Sequence, residues 1–276
     1  YSIGLPGAED MNYANKVSTH IGSKHTNHIV SNEFFLNSIP SVISDVETYD
    51  TTTVRASVGN WNIGKYIKEN SKAKVIFNGD GADELMGGYM YFHCAPDDES
   101  FHEETLKLLK DICHYDVLRS DKSISSHGLE PRTPFLDKEF TKFYLSIPIK
   151  YRNHNNLEKC EKYLIRQAIE NYEPDLLPPD ILWRKKEAFS DGVSSMNKSW
   201  YEIIHEYLSN INNNEDHDEL DDKLNLYPKT VEQKCYYELY HKNITNPSFN
   251  ITPYYWMPNF IEDAYDASAR TLNIYK

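Results

Sequence analysis

Asp80, Asp83 and Glu84 crowd one short stretch of the chain, Val75-Ile-Phe-Asn-Gly-Asp-Gly-Ala-Asp-Glu-Leu-Met-Gly-Gly-Tyr89. An apolar run leads directly into a polar turn with glycines at 79 and 81. In an open parallel sheet, ligands sit beyond the carboxyl ends of the strands. Glycines at such a point let backbone N–H groups come close to a phosphate or carboxylate. Three carboxylates at one mouth are costly unless a cation shares them. A magnesium nucleotide removes that cost, because Mg²⁺ takes one or two carboxylates and completes its shell with phosphate oxygens and water. The same residues also read as an ordinary strand-to-helix loop with an Asp cap.

Two further stretches carry charge suited to anions. Leu182-Trp-Arg-Lys-Lys-Glu-Ala-Phe-Ser-Asp-Gly192 sets Arg184, Lys185 and Lys186 together in an otherwise acidic chain. The triplet could neutralise a polyphosphate leaving group or form a solvated face. Asp50-Thr-Thr-Thr-Val-Arg-Ala-Ser57 offers three hydroxyls and Arg55 at a helix start. It could bind an anion or cap the helix. The turn at residues 128–137 holds two prolines and reads as structural.

Residues 1–5, 25–30 and 74–77 read as short strands, and 8–21, 33–46 and 55–67 as helices between them. Strands separated by helices predict an α/β fold with a parallel sheet. After Gly88 the pattern turns helical, over 103–118, 140–145, 161–169 and 231–241, with no convincing further strand. The acidic tract at 212–222 reads as a mobile surface insertion.

Composition narrows the function classes. With 29 Lys and Arg against 42 Asp and Glu the net charge is −13, which argues against nucleic acid and anionic membranes as partners. No apolar run approaches the ~18 residues that span a bilayer. The four cysteines are too widely spaced for a C-x-x-C pair, and predict free thiols in a reducing, cytoplasmic compartment. His20, His25 and His28 lack partners at a zinc spacing. G-x-S-x-G, Walker A and G-x-G-x-x-G motifs are absent. Three N-x-S/T triplets fall at the rate an Asn-rich chain produces by chance.

In combination, the stretches resemble the synthetase domain of glutamine-hydrolysing asparagine synthetases. The blocks are IGLPG at the start, ETYDTTTVRAS (47–57), NGDGADELMGGYMYFHCAP (78–96), HYDVLRSDK (114–122), HGLEPRTPFLDKEF (127–140) and ILWRKKEAFSDGV (181–193). The resemblance implies ATP and Mg²⁺, activation of aspartate to β-aspartyl-AMP with release of pyrophosphate, and displacement of AMP by ammonia from glutamine. It implies an ATP-pyrophosphatase type of α/β fold. It also implies a covalently joined glutaminase domain upstream, and a homodimer as one possible assembly. Carried over by position, Ile3 meets adenine, Asn78 and Gly79 meet ATP, and Asp80 handles the acyl-adenylate. Asp83 holds Mg²⁺ on the pyrophosphate, and Lys186 faces the phosphates with Arg184 nearby. Arg55, Thr52 and Thr53 govern formation of the intermediate, and Asp116 is a nucleotide-site carboxylate.

The departures also shape expectations. Asn78 stands where serine is usual, and Asp80 where many relatives have glutamate. The family's Ser-Gly-Gly-x-Asp-Ser pyrophosphate loop is not in this sequence. The reading is therefore one synthetase domain over 1–276, incomplete at its N-terminal end, lacking the first strand. A sheet ordered 3-2-1-4-5 would then leave the facing edges of 1–5 and 74–77 unpaired, so the chain alone is expected to be poorly folded and inactive. A non-catalytic remnant that binds a nucleotide or partner, and a related carboxylate-adenylating ligase, are the rival readings.

Overall fold

The computed structural model describes residues 1–195, 197–211, 226–248, 251–262 and 264–275. Strand β1 (Ser2–Gly4) leads to α1 (Glu9–His20), then β2 (Asn27–Ile29), α2 (Asn32–Val46), α3 (Thr51–Asn70) and β3 (Val75–Phe77). The alternation agrees with an α/β fold, and each strand is shorter than its apolar run suggested. β1 and β2 pair in parallel with Ile3 opposite His28. Side-chain caps start the long helices: Ser31 accepts from Phe34 N at 3.1 Å and Asp50 from Thr53 N at 2.8 Å.

The helical half is broken more finely than its pattern implied. α4 (Ala82–Met86) and α5 (Asp98–Asp111) are followed by a 3-10 turn over Ile112–His114, and only then by α6 (Asp116–Ser125). The single helix expected over 103–118 is therefore two, and the break places Asp116 at the start of the second. β4 (Glu130–Arg132) corrects a second expectation, since a strand does follow Gly88 and pairs in parallel with β3. Its central Pro131 hides it from a propensity reading. Glu130 N donates to Lys74 O at 2.7 Å and Asn78 N to Arg132 O at 3.0 Å, so the ladder runs through the residues flanking the proline. The turn at 128–137, read as a bare turn, thus completes a strand pair.

The remaining helices are α7 (Lys138–Ser146), α8 (Ile149–Arg152), α9 (Tyr163–Tyr172), α10 (Pro179–Leu182), α11 (Phe189–Gly192), α12 (Trp200–Ile211) and α13 (Val231–Asn243). α12 was not foreseen. The largest core joins Phe35, Ile39, Val42, Ile43 and Val46 of α2, spaced three and four apart, to Val54, Val58 and Trp61 of α3. Trp200 and Ile204 of α12 and Tyr236, Tyr237 and Tyr240 of α13 close it from the other side. A second cluster gathers Tyr91, Phe92, Phe101, Leu108, Tyr115 and Trp256. The tract at 212–222 lies outside the described residues. Among the described residues, no helix is long and apolar enough to cross a membrane.

The pairs β2–β1 and β3–β4 are separate sheets. Ile3, Val75, Ile76 and Phe77 line one shared groove of about 770 Å³, floored by Ile63 and Ile67. Phe77 is 74% exposed there, unusual for a large apolar side chain on a strand.

Candidate active site

The groove leads to the turn after β3. Asn78 donates to Ser120 Oγ at 2.9 Å, and its own Oδ1 accepts from Asp80 N at 3.2 Å. Gly81 takes φ +90, and a Cβ there would lie 2.3 Å from Leu136 Cγ, so only glycine fits. That glycine, not an aspartate, stands at the N-cap of α4, and it makes no side-chain cap. The loop-cap reading of this segment therefore fails. Gly79 has no atom within 4 Å of an added Cβ and faces the open groove.

Asp83, in the first turn of α4, is held by two lysines. Lys162 donates to Oδ1 at 2.6 Å, and Lys186 Nζ sits 2.7 Å from Oδ2. Burial alone would raise this carboxyl, but the two ammonium groups outweigh it and hold it well below the usual carboxylate range. Gly88 makes room for the arrangement, since a Cβ there would fall 2.1 Å from Asp83 Oδ1. The two lysines come from segments fastened to each other by Arg166. It donates to Glu161 O at 2.9 Å, beside Lys162, and to Leu182 O at 2.5 Å, ahead of Lys186.

Across the pocket, Arg119 donates to Asp80 Oδ1 at 3.2 Å and to Asp116 Oδ1 at 2.7 Å. Burial would lower the Arg119 pKa, and its two carboxylates reverse that and raise it. Glu84, also buried, accepts from Tyr89 OH. Desolvation first, then the charges of Asp116 and Asp83, push it well above the ordinary carboxyl value, which favours its neutral form. A pocket of about 140 Å³ is lined by Thr52, Thr53, Asp80, Asp83, Asp116 and Lys186, along with Tyr89, Arg119 and Trp256. Asp80, Arg119 and Phe189 also line the groove that holds Ile3, Asn78, Gly79 and Arg184, so the two spaces adjoin.

The residues carried over by position line the pocket or the groove, except Arg55, while Glu84 and Lys185, also singled out by type, line neither. Arg55 lies 4% exposed in a closed cluster, with Nε and Nη2 donating to Glu232 at 2.8 and 2.6 Å and Nη1 and Nη2 to Asp266 at 2.7 and 2.9 Å. Thr53 Oγ1 is likewise occupied, donating to Asp50 Oδ2 at 2.8 Å, so the 50–57 segment caps its helix. Arg184 pairs with Asp10 at 2.8 Å and Glu187 at 3.1 Å, and its guanidinium lies 3.8 Å from the centroid of the Tyr13 ring.

Lys162 and Arg119 were missed. Arg119 was legible as the i+3 neighbour of Asp116 on one helix face. Lys162 precedes α9 at φ +57, and no local pattern marks it. Among the described residues, no group of three His, Cys, Asp or Glu is arranged to hold a metal. Both Asp83 oxygens are paired with lysines, so Asp83 would supply one carboxylate to a metal arriving on a nucleotide only as those lysines shift to the phosphates, with phosphate and water filling the other positions.

The fold is a helix-rich α/β domain whose pocket, near the carboxyl end of β3, is lined by three carboxylates interleaved with Arg119 and Lys186. The family model described as Asparagine synthase matches residues 1–100 and 95–241, and the chain belongs to that family. It is 44% identical over its whole length to the Gallus gallus "Asparagine synthetase [glutamine-hydrolyzing]", 42% to the Homo sapiens protein of that name and 41% to the Bos taurus one. In each case it covers 48% of the relative, so the chain spans about half the length of the curated relatives it matches.

Proposed function

We propose that this chain carries the amide-forming half of an asparagine synthetase: ATP-dependent conversion of aspartate to asparagine through β-aspartyl-AMP. Ammonia comes from glutamine, split by a domain outside this chain. The observation that carries the reading is Asp83 clamped between Lys162 and Lys186, beside the Asp80–Arg119–Asp116 cluster. The Asp83 cluster has one ammonium group more than carboxylates, and its Lys186 lies on the pocket lining where a departing pyrophosphate would need it.

ATP lies in the groove with its base near Ile3 and its phosphates along Asn78 and Gly79. Arg184 borders that groove. Asp83 would hold a Mg²⁺ arriving with the nucleotide, which would screen the phosphate charge. The side-chain carboxylate of aspartate attacks the α-phosphorus, and the bond to pyrophosphate breaks. Lys186 and Lys162 turn from Asp83 to the leaving oxygens. Ammonia then attacks the acyl carbon, AMP departs with the bonding electrons, and Asp80 takes the released proton. Asp116 holds Arg119 against Asp80 and so fixes that base. Thr52 borders the acyl group. Arg55 and Thr53 serve the site indirectly, one through ion pairs and one through the cap of α3.

The finer fold reading belongs to the same proposal. The groove between β1 and β3, apolar and edged by two strands, suits a further parallel strand of the ATP-pyrophosphatase type. The four free thiols suit a cytoplasmic protein, and a homodimer is the proposed assembly.

The test is pyrophosphate release by the whole protein given ATP and ammonium, with and without aspartate. Aspartate-dependent release with matching asparagine supports the proposal. Release driven by another carboxylate indicates a related ligase, and no release indicates a remnant.

A further inference from the structure

The pocket has a wall that does not come from the α/β core. Trp256, Pro258, Ala267, Ala269 and Leu272 line it from the C-terminal segment, whose described stretches here are 252–262 and 264–272. Among its described residues this segment has no α-helix or strand to hold its shape. It is fixed instead by side chains of the site's own elements. Trp256 N donates to Asp50 Oδ1 at 2.9 Å, and Tyr115 OH to Tyr254 O at 2.6 Å. Ser268 Oγ donates to Asp191 Oδ1 at 3.1 Å. Arg270 donates to Glu187 Oε1 and Ser195 O, both at 2.7 Å, bracing the residue next to Lys186. The strongest tie is the two-pronged Arg55–Asp266 pair, at 2.7 and 2.9 Å.

We infer that this segment seals the amide-forming pocket against water, and that Asp266, held by Arg55, is the positioning residue that keeps the seal shut. The inference rests on the function proposed above. An acyl-adenylate has two possible fates. Ammonia attack gives asparagine and AMP. Water attack forms a new acyl C–O bond, breaks the bond to AMP and returns aspartate, so ATP is spent without product. An apolar wall of Trp256, Ala269 and Leu272 favours the first fate by excluding water. Arg55 lines neither the pocket nor the groove, and acts by holding Asp266.

The experiment compares the whole protein with its Asp266→Ala and Asp266→Glu forms. One readout is pyrophosphate released per asparagine formed with ATP, aspartate and ammonium. The other is amide hydrogen exchange over 252–272. Asp266→Ala raises the ratio severalfold and speeds exchange in this segment, leaving α2 and α3 protected, while Asp266→Glu stays near the parent. A weakened fold alone lowers both products together and does not move the ratio. If Asp266→Ala fails to fold, Arg270→Met tests the same seal through its other clamp, with the same expectation. A parental ratio with parental exchange overturns the inference. Should the parent itself release no aspartate-dependent pyrophosphate, the proposed function fails, and unchanged exchange in Asp266→Ala would separately remove the tie between Asp266 and this segment.

Discussion

Two three-member ion clusters in this molecule are built from the same chemistry and end in opposite states. At the pocket, one carboxylate, Asp83, lies between Lys162 and Lys186. Behind it, one guanidinium, Arg55, lies between Glu232 and Asp266. The first carries a surplus positive charge and sets Asp83 and Lys186 on the pocket lining, its side chains 14–20% exposed. The second has a buried Arg55 and Glu232, leaves a negative charge, and has His205 Nε2 3.2 Å from Glu232. A charge cluster serves chemistry when its surplus faces a cavity. When its partners close around it, it serves the fold.

Breaking the closed cluster is the harshest test of this contrast. Arg55→Ala leaves Glu232 buried without its partner, and is expected to cost about 3–5 kcal/mol of stability by urea unfolding. The cluster also predicts an acid limb. Burial would raise the Glu232 carboxyl, but Arg55 overrides it and sets it at about 2. A depressed carboxyl contributes stability above its unfolded value and loses it as pH falls toward the folded one. The parent should therefore weaken as pH falls from about 4.5 to about 2. If Arg55→Ala unfolds no more easily than the parent, the cluster is not structural.

The open cluster should break differently. Lys186→Ala is expected to slow pyrophosphate release by about 10²–10³-fold, with a smaller loss of stability than Arg55→Ala because Lys162 still pairs with Asp83. Equal turnover would remove Lys186 from the leaving-group role.

Asp50 sharpens the comparison by reversing the sign. It is buried without a cation, and desolvation raises it to about 6, against bonds from Trp256, Thr53 N and the Thr53 hydroxyl that oppose the rise. A raised carboxyl binds its proton more tightly in the folded state, so its contribution is lost as pH climbs from about 4 to about 6. Asp50→Asn retains a cap acceptor and should flatten stability across that window. A slope unchanged by the substitution would rule Asp50 out as its source.

The smallest change is expected at Gly79. An alanine there meets no atom within 4 Å, so the melting temperature should hold, while KM for ATP rises because the methyl points into the groove. An unchanged KM would move the nucleotide elsewhere.

How far the sequence was legible depended on how local each decision was. The strand, turn and acidic cluster at 75–89 are contiguous, and the glycines, Asp83 and Lys186 could be picked out from type and spacing. Arg55 looked the same on paper, as a cation beside hydroxyls at a helix start. Its fate was set by Glu232, 177 residues away, and Asp266, 211 away. β4 was invisible because Glu-Pro-Arg has no strand propensity, and it exists because β3 offers an edge for it to pair with. Lys162 reaches Asp83 from a left-handed turn that no periodicity announces.

The sequence alone sets the alternation of strand and helix, the apolar spacing along α2, the acidic stretch after β3 and the six motif blocks of the family. Each depends on side chains within a few residues of one another, where backbone period and local hydrogen bonding carry the information. Tertiary structure alone decided which charges remain available. It pairs β3 with β4, closes Arg55 between two distant carboxylates, and brings Lys162 and Lys186 onto opposite oxygens of Asp83. An ion's partner is whichever opposite charge packing brings within about 3 Å, at whatever separation along the chain, so its role is settled only when the core closes.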